Sequence, residues 1–232
     1  MRIVSATSAS LPLSIRRSTA RDSLGVSFIV GTSGIAFGAA SVAAGFSVAQ
    51  SCILSLFAFS GASQFALIGV MGAGGSALSG IATASFLGIR NGLYGMRMAP
   101  ILNLRGIKRI VAAHITIDES TGVAISQENR GAEAMRLGFW FTGFGVFIFW
   151  NLFTLLGALG AQAMGDPASW GLDAAVPALF LGLVWPRLIK TRERLLALAA
   201  VVFALLLTPI LPAGLPIITS ALLAIAMGAT KK

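Results

Sequence analysis

Residues 59–95 read FSGASQFALIGVMGAGGSALSGIATASFLGIRNGLYG, an apolar stretch interrupted by glycines and serines and then by a charged arginine, Arg90. Lipid offers no water to freed backbone groups, so such a break is tolerated only where protein or an aqueous cavity supplies partners. A guanidinium at membrane depth is costly and marks a pathway, a ligand or a buried pair. The stretch therefore reads as a polar site set into a bilayer-spanning fold.

The rest of the 232-residue chain agrees, with 56% hydrophobic and 11% charged residues and a mean hydropathy of +0.87. Soluble domains carry roughly 25% charged residues. A crossing helix needs about 20 apolar residues, and the apolar runs fall at 24–44, 47–72, 76–99, 110–128, 137–163, 174–189, 195–211 and 214–229. These runs are continuous and lack the alternation of a membrane barrel. The expected fold is all-α, a polytopic membrane protein with about 7–8 transmembrane segments and a Gly-rich broken or re-entrant element. Residues 1–22 read as a cytoplasmic N-terminal tail and 23–232 as a single permease domain.

The net charge of +9 argues for topology rather than nucleic acid, because the basic residues flank apolar runs. The Arg-rich N-terminus, the Arg130–Arg136 linker, the Arg187–Arg194 loop and Lys231-Lys232 all read as cytoplasmic, and eight crossings satisfy them. The cluster Arg105, Lys108 and Arg109 then falls outside. Six crossings with two re-entrant elements, an early one and 110–128, would return it to the cytoplasm.

Within the opening stretch, Ser60-Gly61-Ala62-Ser63-Gln64 has the composition of a helix interruption and a fresh start, capped by Ser60 or Ser63. Amides at such a start attract a carboxylate; the competing reading is a small-residue packing face with Gln64 bonded to a neighbouring helix. Arg90, Tyr94 and Arg97 share one helical face. Further along, His114 and Asp118 stand at i and i+4 with Glu119 beside them, which makes the acidic pair a proton carrier or an ammonium ligand, unless this segment is a polar connector. Gly34 to Gly38, and Gly138 to Gly145 by way of Thr142, read as close helix packing, and Cys52 as packing too.

One histidine and one cysteine are too few for an ordinary transition-metal shell, so neither a metal nor another cofactor is expected. Without G-x-S-x-G or a second histidine, an intramembrane hydrolase is not expected either.

FSGASQFALIG, IRNGLYG, the acidic pair in ITIDES and the later DAAVPALFLGL, in this order over nearly the whole chain, resemble the AzlC family, the large subunits of branched-chain amino acid exporters. The resemblance implies a permease of the bacterial cytoplasmic membrane that exports branched-chain or similar hydrophobic amino acids, driven by protons, together with a small AzlD-type membrane subunit. Gly61, Ala62, Ser63, Gln64 and Phe65 match one block, Arg90, Leu93, Tyr94 and Gly95 the next, and Asp118-Glu119 the third. The family commonly has histidine directly after the arginine, where this chain has Asn91. Its threonine before the acidic pair is displaced too, with Ile117 there and Thr116 one earlier.

The combined expectation places a substrate carboxylate at Gly61 to Gln64 and Arg90, with Phe65, Asn91 and Tyr94 in the same site and Phe57 beside the substrate side chain. The ammonium or the coupling proton falls to Asp118, Glu119 or His114. A non-transporting scaffold for the small subunit and a passive uniporter are the alternatives.

Overall fold

The computed structural model describes residues 11–165 and 184–229, with Ala178, Leu181 and Gly182 between them. Among these residues all regular elements are helical: α1 (Leu13–Ala43), α2 (Val48–Phe57), α3 (Gly61–Gly72), α4 (Ala77–Leu102), α5 (Ile107–His114), α6 (Asp118–Ser126), α7 (Ala132–Ala163), α8 (Thr191–Leu207) and α9 (Leu215–Ala229). Short 3-10 turns sit at Glu128–Arg130 and Trp185–Arg187. Most of the first half of the run read at 174–189, and with it most of DAAVPALFLGL, lies outside the described residues.

α1 begins at Leu13 and so takes in half of the stretch read as a tail; residues 13–22 hold no Gly or Pro to stop the helix, and Pro12 carbonyl accepts from Arg16 N–H at 3.0 Å. Two apolar runs are not single helices. The run 47–72 is divided at 58–60, and 110–128 at 115–117. The pieces hold 10, 12, 8 and 9 residues, about 12–18 Å each, against about 30 Å of hydrocarbon. Among the described residues α1 and α7 are the two helices long and apolar enough to cross a membrane.

The chain folds as two compact units, one formed by residues 1–31 with 91–149 and the other by 32–90 with 150–232. α1, α4 and α7 each continue from one unit into the other.

In the unit of 32–90 and 150–232, α1 and α7 pack closely through small residues. An added Cβ would overlap the Thr154 carbonyl at Gly38 and the Ile35 carbonyl at Gly157, and at Gly34 it would stand 2.5 Å from the Trp150 carbonyl. Backbones approach this closely in membranes only where side chains are absent. Buried hydroxyls join the same packing: Ser51 donates to Ser41 at 2.7 Å and Ser55 to Thr154 at 3.4 Å. A Cβ on Gly72, the last residue of α3, would stand 3.1 Å from Ala44 Cβ. Since α2 departs four residues after Ala44, the α2–α3 pair returns to the end of α1 from which it left.

The unit of 1–31 and 91–149 shows the same return. Arg136 Nε, near the start of α7, donates to Ile101 carbonyl near the end of α4 at 2.7 Å, and Arg97 pairs with Glu128 at 3.5 Å. Thr19 of α1 donates to Gln127 at 3.1 Å, and Arg130 donates to Gln127 and to Ser18. The start of α1, the end of α4 and the start of α7 therefore lie at one level, and the α5–α6 pair leaves from and comes back to it. Met98, Ala112, Ile115, Ala124 and Phe139 bury the pair against α4 and α7.

Candidate functional site

The interruption between α2 and α3 is held by one side chain. Gln64 is fully buried; its Nε2 donates to the Ala58 carbonyl at 3.0 Å and the Ser55 carbonyl at 3.4 Å, and its Oε1 accepts from the Trp150 indole at 2.9 Å. The last carbonyls of a helix have no partner inside it, so Gln64 satisfies the end of α2 from the first turn of α3. Its hydrogen-bonding groups are thereby committed to protein.

Phe65 is likewise buried, edge-on to Phe37 at 5.5 Å and to Trp150 at 6.4 Å between ring centres. Both residues lie in the sequence block expected to touch a substrate, and in the structure both support the break. Phe57, at the end of α2, is 78% exposed. Trp150 carried no signal of its own in the sequence; only the need of a buried carboxamide and an indole N–H for partners hints at the pair.

What the break offers a ligand lies on the other face of the first turn. Ser60, in extended conformation, occupies the cap position of α3, yet its side chain makes no capping hydrogen bond, and Ser63 lies inside the helix. The hydroxyls of both are buried and have no hydrogen-bond partner. The first intrahelical bond runs from Gln64 N–H to Ser60 carbonyl at 2.9 Å, which leaves the amides of Gly61, Ala62 and Ser63 without an acceptor in the helix. Two glycines keep the place narrow: a Cβ on Gly61 would stand 3.1 Å from the Trp150 ring, and one on Gly88 of α4 would stand 3.4 Å from Ser63 Oγ. Arg90 follows Gly88 by two residues on α4 in the same unit and has its Nε buried. Donors without acceptors at a helix start form an anion site.

The other candidates belong to the unit of 1–31 and 91–149. Asn91 and Tyr94 of α4 are half-buried, with Asn91 Oδ1 buried and without a hydrogen-bond partner. Arg97, on the face of Arg90 and Tyr94, is taken by Glu128. The expected i, i+4 face of His114 and Asp118 does not form, because α5 ends at His114 and α6 begins at Asp118. Ile117 is extended, and Ser120 closes the gap: its hydroxyl donates to the Ile115 carbonyl at 2.8 Å and accepts from Ile117 N–H at 3.0 Å. His114 is exposed and stands edge-on to Phe147 at 5.6 Å. Asp118 and Glu119 are half-buried in the first turn of α6, where the helix start favours negative charge. Among the described residues no group of three or more His, Cys, Asp or Glu side chains is placed to hold a metal.

The AzlC protein family model matches residues 25–164, a span that contains both breaks. Among curated proteins, the inner membrane protein YgaZ of Escherichia coli (strain K12) is 28% identical over 179 residues, covering 73% of this chain and 71% of that protein. No solved structure matches. The match over more than half of the chain, with both helix breaks inside it, shows that this membrane protein belongs to the AzlC family.

Proposed function

We propose that the chain is a secondary transporter that exports branched-chain or similar hydrophobic amino acids, coupled to protons and working with a small AzlD-type subunit. The observation that carries this reading is the start of α3, where the buried hydroxyls of Ser60 and Ser63 and three helix-start amides have no acceptor within the helix. A substrate carboxylate supplies that acceptor, and Arg90 adds charge in the same unit. Gln64 and Phe65 hold the break open instead of touching the ligand. Asp118 and Glu119 take the proton-coupling role, since Asn91 does not titrate.

The proposed topology has six crossings: α1, α4, α7, the apolar run 174–189, α8 and α9. α2–α3 and α5–α6 enter and leave on one side each, which the returns at Gly72 and at Arg136 support. Arg105, Lys108 and Arg109 then share a cytoplasmic end with Arg16, Arg17, Arg130 and Arg136, and the excess of positive charge inside is obeyed throughout.

The test is efflux from cells preloaded with an amino acid mixture, with and without the small subunit and an uncoupler. Export of valine, leucine or isoleucine is expected to need both the subunit and the gradient, and to fall at least ten-fold in the Ser60→Ala/Ser63→Ala double variant, about 1.4 kcal/mol. Export that survives collapse of the gradient would mean a uniporter. Normal assembly with no flux for any amino acid would mean a scaffold.

A further inference from the structure

We propose that the corner between α4 and α5 is a binding site for an anionic glycerophospholipid, separate from the substrate site. A cavity of about 450 Å³ opens there, within the usual range of about 300–1,000 Å³ for ligand pockets. Gly92, Gly95 and Ala99 of α4 and Ala112 and Ala113 of α5 line it, and Arg109 is the one charged side chain in its wall. Among the described residues no carboxylate lines it.

The two glycines have no packing reason to be glycine. A Cβ on Gly92 or on Gly95 would meet nothing within 4 Å, in contrast to Gly34, Gly38 and Gly157, which are pressed against backbone. Their smallness keeps an open furrow along α4, with Met96 beside it 67% exposed. A furrow of this kind accepts an acyl chain.

At its polar end the chain turns through Asn103 and Gly106, both at positive φ, and presents Arg105, Lys108 and Arg109 within five residues. All three side chains are exposed, and among the described residues none makes an ion pair or a side-chain hydrogen bond. An apolar furrow ending in uncompensated cations is complementary to a phosphodiester headgroup with its acyl chain attached, and each cation near such a surface contributes about five-fold in affinity. A zwitterionic lipid offers the same chain but cancels the charge. The second feature this explains is the cluster itself, which anchors α5 at the end where the re-entrant pair leaves α4.

Native mass spectrometry of the detergent-purified full chain, titrated with phosphatidylglycerol and with phosphatidylcholine, tests the site. Phosphatidylglycerol is expected to be retained at least ten-fold over phosphatidylcholine. Arg109→Gln is expected to lower that retention about five-fold, and Gly95→Leu, which fills the furrow without changing charge, to lower it comparably; both variants should elute as the parent does. Equal retention of the two lipids overturns the proposal, as does unchanged retention in both variants. Protection of a Gly95→Cys thiol by the small subunit, and not by phosphatidylglycerol, would give the furrow to a partner helix and overturn it too. Because the readout is lipid retention, its outcome is independent of whether amino acid export is observed.

Discussion

Trp150 of α7 donates its indole N–H to the Gln64 side chain of α3 at 2.9 Å, across 86 positions of sequence. The same carboxamide donates back to the Ala58 carbonyl at the end of α2, so one buried side chain ties a broken helix to a membrane-length one. Both residues belong to the buried core, where a donor or acceptor left without its partner costs about 1–3 kcal/mol.

Gln64→Leu and Trp150→Phe are each expected to lower the thermal midpoint of the detergent-purified protein. The double variant should lose less than the sum, with a coupling of about 0.5–3 kcal/mol. Additive losses in a double-mutant cycle would show that the hydrogen bond does not hold the break.

Glycine substitutions should divide sharply by what faces them. Gly38→Ala and Gly157→Ala place a methyl group into the backbone of the partner helix, and overpacking of that kind costs about 1–3 kcal/mol or prevents folding. Gly25→Ala and Gly160→Ala meet nothing within 4 Å and should be neutral or slightly stabilising, since alanine is the better helix former. Expression level and elution profile of the four variants measure this directly.

Much of this was legible in the residues, and the limits of legibility have physical causes. The all-helical class followed from continuous apolar runs, and the break at Ser60-Gly61 from small polar residues within one of them. The re-entrant option for 110–128 rests on the charge of Arg105, Lys108 and Arg109 alone, and the position of its break is not legible because ITIDES holds neither Gly nor Pro; what stops α5 is an extended Ile117 stabilised by Ser120, a bond that depends on the tertiary path. For the same reason His114 and Asp118, four apart in sequence, end up on two different helices. Gln64 was read as either ligand or packing residue, and its partner is too distant in sequence for periodicity to show which. The returns of the two pairs rest on contacts such as Gly72 with Ala44, which composition cannot supply.

The proposed six-crossing topology puts Lys108 in the cytoplasm and the α3–α4 turn at Ser76 outside. In a Cys52→Ala background, Lys108→Cys should react with a membrane-impermeant maleimide in inverted vesicles and not in spheroplasts, and Ser76→Cys should do the reverse. Labelling of Lys108→Cys in spheroplasts would restore a count in which 110–128 crosses the bilayer.

Asp118 and Glu119 offer the sharpest test of coupling, because charge and architecture separate there. Both begin α6, where a carboxylate at a helix start contributes about 0.3–1 kcal/mol, so Asp118→Asn and Glu119→Gln should cost little in stability while removing a titratable group. If one of them carries the proton, its amide variant should lose gradient-driven export of leucine and keep leucine exchange across vesicles with leucine on both sides, since exchange needs no net proton movement. The proton carrier must also respond to pH in one direction: export by the parent chain should rise as the outside is acidified at constant internal pH, and the amide variant should be flat over the same range. Loss of exchange together with export would instead place that carboxylate in substrate binding, as the ligand of the ammonium group. Full export by both amide variants and by the double variant would remove the pair from the mechanism.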